Sequence, residues 1–193
     1  SGHPALDTHL PGGGWPCGAL TEVLVSQFSI VELRLLSPVI AHQTRAGRSV
    51  ALIGPSLSPH APGLRHDGID ERHLVWIDVD TPRDRLWATE QLVKAGSFGA
   101  VIAWLPLVRA EQIRRLQVLA SRCKGPVFLC PPACASQDST VAPPAGVGTG
   151  PPAGHGTVAS AGAASRGGFV SRRVTVAVHV SAPSHLWEKA SCG

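Results

Sequence analysis

The sequence predicts an α/β fold: a three-layer sandwich around a mainly parallel central sheet, followed by a flexible C-terminal tail. Three observations carry it. Up to about residue 135, short apolar runs alternate with longer stretches of helical periodicity, the spacing of repeated βα units. The run Gly99-Ala100-Val101-Ile102-Ala103-Trp104-Leu105 is apolar throughout, as a central strand covered on both faces requires. From residue 136 onward the alternation stops, which divides the chain into a domain at 1–135, a linker at 136–168 and a tail at 169–193.

The elements follow in order. Gly12-Gly13-Gly14-Trp15-Pro16-Cys17-Gly18 is a turn-rich lead-in to a buried strand over Leu20 to Val25. A helix is expected from about Ser29 to Arg45, with Ile30, Leu33, Leu36 and Ile40 on one face. Ser49 to Ile53 is the second apolar strand, followed by a Pro-rich loop from Gly54 to Pro62 and a short helix. His73 to Ile77 is the third strand. The next helix has a legible start, with Thr81 as cap, Pro82 in the first turn and Asp84 returning a bond to the cap. Leu86, Leu92 and Val93 make its apolar side. After the strand at 99–105 come a helix from Arg109 to about Arg122 and a last strand, Pro126-Val127-Phe128-Leu129-Cys130.

Of the 27 residues from Ala142 to Gly168, 8 are Gly, 4 Pro and 7 Ala. Such a segment cannot build an apolar core and reads as disordered. Phe169 to Val180 regains strand alternation and has two readings, a docked edge strand or a divergent or misread C-terminus.

Composition narrows the function classes. The 193 residues are 44% hydrophobic, enough for a core, and no run nears the roughly 18 apolar residues of a membrane span. No signal-peptide pattern is present. The chain starts at Ser1 and holds no Met, so it is read as processed or as part of a longer product. With 17 Lys+Arg against 13 Asp+Glu, the net charge of +4 permits an acidic partner without demanding one. Five cysteines without a CxxC pair read as reduced thiols. Cys123, Cys130 and Cys134 lack a nearby histidine and a regular zinc spacing.

The joint between the first strand and its helix is the most informative place. Where a phosphate-binding loop needs glycine amides, a lysine and a hydroxyl, this chain has Val25-Ser26-Gln27-Phe28-Ser29-Ile30-Val31-Glu32. A carboxylate replaces the hydroxyl that would meet magnesium. Hydrolysis of a nucleotide is not expected, because phosphoryl transfer rests on positioning and charge neutralisation.

Other groups have two readings each. Asp78, Asp80 and Asp84 crowd one strand-to-helix joint, as a metal site or as helix-cap chemistry. The nine histidines show no H-x-x-x-H spacing. Gly12, Gly13, Gly14 and Gly18 make a tight approach into the strand or touch a ligand. Trp15, Trp76, Trp87 and Trp104 read as packing residues, with Trp15 also a candidate exposed contact. Arg109, Arg114, Arg115, Arg122 and Lys124 form a basic set, either a solvated helix face or a docking face for DNA or an acidic partner. No aromatic residue interleaves them, so there is no base-stacking platform and any DNA contact is expected to be indirect.

Ser1-Gly2-His3-Pro4-Ala5-Leu6-Asp7, Gly12-Gly13-Gly14-Trp15-Pro16 and Gly18 resemble the start of the core of RecA-type recombinases. Within these the chain is most similar to the ImuA family, RecA-like accessory proteins of bacterial translesion cassettes. The block at 99–105, the helix at 109–122 and Pro126 to Pro131 resemble a region shared with the SulA family of SOS cell-division inhibitors. The likeness covers about residues 1–135, and the glycine-rich lead-in favours ImuA. Two departures are Cys130-Pro131, where such chains tend to carry Arg-Pro, and the tail after Pro144.

The resemblance implies a RecA-like sandwich without a functional P-loop. The loop lysine and threonine would fall at Val31 and Glu32, the magnesium-binding acid at Leu105 and the general base near Ser56. It further implies a cytoplasmic, non-catalytic SOS accessory protein without cofactor or metal. Its partners would be the recombinase filament and the translesion polymerase complex. The alternative is a division inhibitor whose partner is the tubulin-like division GTPase.

Overall fold

The computed structural model describes residues 1–25, 31–55, 58, 60–106, 108–131, 158–162 and 173–179. Its helices are α1 (Pro4–Asp7), α2 (Val31–Arg45), α3 (Ala61–His66), α4 (Pro82–Ala95) and α5 (Ala110–Ala120). Its strands are β1 (Leu20–Val25), β2 (Val50–Ile53), β3 (Leu74–Ile77), β4 (Ala100–Ala103), β5 (Val127–Leu129), β6 (Val158–Gly162) and β7 (Arg173–His179). They make one sheet in the order β3-β2-β4-β5-β1-β7-β6, parallel throughout except for the antiparallel β6–β7 pair. The α/β sandwich with a mainly parallel sheet is therefore the fold the alternation predicts.

Two cores lie on opposite faces of the sheet. Leu52, Ile102 and Phe128 point toward α1, α2 and α3, where Leu6, Leu36, Ile40 and Leu64 meet them. Ile53, Val101, Leu129 and Leu20 point the other way, onto Val93 of α4 and Leu116 of α5. Neighbours in sequence face opposite layers because side chains alternate along a strand. Every residue of β2, β4 and β5 is buried, the signature of strands covered on both sides.

Local chemistry explains the helix ends. Thr81 caps α4: the Asp84 N–H donates to its hydroxyl at 3.1 Å, and the hydroxyl donates to the Asp84 carboxylate at 2.7 Å. Gly96 closes α4 in the left-handed conformation, φ 64°. Helix α2 carries Pro38 in its interior, a residue with no N–H for the carbonyl four positions earlier. The Ser37 hydroxyl donates to that carbonyl, Arg34 O, at 3.0 Å. The ring of His3 bonds the next one, Leu35 O, at 3.0 Å, which ties α1 onto the helix.

The structure differs from the sequence reading in three places. β6 lies inside the stretch that composition assigns to the 136–168 linker, because Val158-Ala159-Ser160-Ala161-Gly162 pairs through its backbone. Composition counts side chains, and a ladder needs only N–H and C=O groups. β7 is accordingly an interior strand between β1 and β6, with β6 on the edge. Trp104 is buried as expected, but Trp76 and Trp87 are exposed, Trp87 by 63%. The first stands on the edge strand β3 and the second on the solvent flank of α4.

Candidate functional site

In an open α/β sheet, ligands bind at the carboxyl ends of the strands. That end is reached here by the residues after β1, β2, β4 and β5. Of the joint after β1, Ile30 and the residues from Ser26 to Ser29 lie outside the described residues, as does Ser56 after β2. Val25 ends β1, and Val31 and Glu32 open α2.

Glu32 is fully buried in the first turn of α2. The first turn of a helix presents unbonded N–H groups and the positive end of the dipole, which is where a phosphate would sit in a nucleotide-binding protein. The Glu32 side chain is packed inside the fold at that turn and is not held out to solvent. Its charge reaches Cys130, at the end of β5, where burial and then Glu32 push the thiol well above its ordinary range.

The other junctions are apolar or clamped. Trp104 and Leu105 follow β4 and are both buried, one on each core. Leu105 therefore packs where the resemblance would place a magnesium-binding acid. After β2, Gly54 has φ 56° and the Arg85 side chain lies against the position a Cβ would take. The Arg85 guanidinium donates to Gly54 O at 3.1 Å and to Val79 O at 2.7 Å, joining the ends of β2 and β3 to α4. This residue was invisible as a contact in the sequence, since nothing marks one arginine among many.

Trp15 is partly buried, with its ring edge-on to Phe128 at 5.1 Å between centroids. It is a core contact and not an exposed one, because the glycine-rich lead-in folds back over the sheet. Gly12 and Gly13 have φ of 82° and 72°, with open space where a Cβ would stand, so they serve the turn.

The thiols give a direct check on this packing. Cys17 is exposed, whereas Cys123 and Cys130 are buried and the Cys123 thiol donates to Val93 O at 3.1 Å. Peptide mapping after brief alkylation of the native protein is expected to find Cys17 labelled, with Cys123 and Cys130 labelled only on unfolding. Because folding raises the Cys130 pKa, the unfolded state loses this proton first. Cys130 thus weakens the fold as pH climbs above about 8.5, to be read from denaturation midpoints of wild type and Cys130→Ala.

The basic set runs along α5 and just past its end. Arg109 precedes α5 and its N–H donates to the Gln112 side chain at 2.8 Å. Arg114 and Arg115 lie on the exposed face of α5, and Arg122 and Lys124 follow its end, all exposed. Arg115 is paired with Glu90 of α4 at 2.9 Å. Arg114, Arg122 and Lys124 make no ion pair among the described residues. Val118, 61% exposed, stands four residues after Arg114 on α5, so the two share one stripe, and Arg122 lies just past the helix end. The apolar centre of this stripe escaped the sequence reading, where a lone valine in a helix counts as core.

Asp78 and Asp80 are exposed and Asp84 is committed to the α4 cap. Among the described residues, no cluster of three or more metal-ligating side chains is found, and no helix is long and apolar enough to cross a membrane.

No family model and no curated protein matches the chain. Among solved structures, SulA from Pseudomonas aeruginosa is similar at 22% identity over 60% of this chain and 99% of its own, with a TM-score of 0.46. A KaiC-like protein from the hyperthermophilic archaeon Pyrococcus horikoshii OT3 is similar at 18% identity over 69% of both chains, with a TM-score of 0.45. At these scores neither likeness carries an activity, substrate or partner.

Proposed function

We propose that the chain is a non-catalytic accessory protein of the SOS DNA-damage response in translesion DNA synthesis, with neither cofactor nor metal. It acts through protein contacts with the recombinase filament and the error-prone polymerase machinery. The observation that carries the non-catalytic part is the buried Glu32 at the first turn of α2, an internal side chain at the helix end that a nucleotide phosphate would need. Trp104, Leu105 and Arg85 fill the neighbouring junctions. The assignment to this response and these partners rests on the resemblance of residues 1–135 to the ImuA family. A fold retains its packing surfaces when its chemistry is lost.

The contact surface in this reading is the exposed pair Arg114 and Val118 of α5 with Arg122 and Lys124 past its end. Such a patch suits an acidic protein surface. The immobilised full chain is expected to retain the recombinase filament and the polymerase complex. Arg114→Glu with Arg122→Glu is expected to weaken that capture by about tenfold or more. Capture of the tubulin-like division GTPase alone would contradict the reading and establish the inhibitor alternative.

A further inference from the structure

We draw no further inference here: the strongest candidate, the apolar groove between the end of β3 and α4 lined by Ile77, Val79, Trp87 and Leu92, is an unpartnered face, and nothing among the described residues shows what covers it.

Discussion

Phe128→Ala is expected to cost about 3–5 kcal/mol, the range for emptying a large aromatic from a packed core. Phe128 is fully buried on β5, which lies between β4 and β1. Its backbone is fixed on both sides, through Ile102 and Thr21, so the sheet has little room to collapse into the cavity. The loss also removes the edge-on partner of Trp15, which frees the glycine-rich lead-in. A domain stable by about 5–15 kcal/mol would lose a large share of its margin. Urea denaturation followed by circular dichroism reads the effect. Val118→Ala, on the exposed face of α5, is the control and is expected to stay within about 0.5 kcal/mol. Equal midpoints for the two variants would refute the placement of Phe128 at the centre of the fold.

Gly125→Ala is the second large effect, expected at about 3 kcal/mol, the upper end of ordinary overpacking. A Cβ at Gly125 would overlap the carbonyl oxygen of Gly99, and that backbone cannot retreat. Gly99 N–H donates to Ser49 O at 2.8 Å, and Val101 N–H donates to Pro126 O at 3.2 Å. Both glycines thus lie where β4 and β5 begin and the chains run closest. Gly99→Ala is the informative contrast, because its Cβ would meet the Gln43 amide oxygen, which can swing away, and the Arg48 Cβ at 2.8 Å, a milder overlap than that of a Cβ at Gly125 with the Gly99 carbonyl oxygen. Thermal midpoints should fall much further for Gly125→Ala than for Gly99→Ala, and the reverse order would refute the close approach.

These two positions show what the sequence could and could not reveal. The strand around Phe128 was legible, because an unbroken apolar run of strand length has one physical reading in a parallel sheet. So was the Thr81 cap, since hydroxyl, proline and carboxylate at fixed spacing make one local structure. Gly125 was not legible, because its constraint comes from Gly99, 26 residues away in the chain and known only once β4 lies beside β5. The strand at Val158 to Gly162 was hidden for a related reason: its partner, β7, decides its conformation more than its own small side chains do.

The candidate site divides in the same way. The carboxylate at position 32 in place of a hydroxyl was visible in the chain, but its burial was not. A glutamate in a first helical turn is more often a solvated partner of the dipole. Leu105 could be named as the residue standing where an acid would, whereas Arg85, which clamps the end of β2, emerged only from contacts across layers. The exposed apolar residues Trp76, Trp87 and Val118 were misplaced or missed, since periodicity tells which residues can be buried and not which elements remain uncovered.

The start of α2 is decisive, because a buried Glu32 stands in its first turn, beside the helix end a phosphate would need. Titration of the full chain with a fluorescent ATP analogue, with and without magnesium, tests this most directly. No saturable signal is expected up to about 1 mM, the upper end of ordinary nucleotide-enzyme affinities. Saturable, magnesium-dependent binding below that concentration would contradict a phosphate site closed by Glu32.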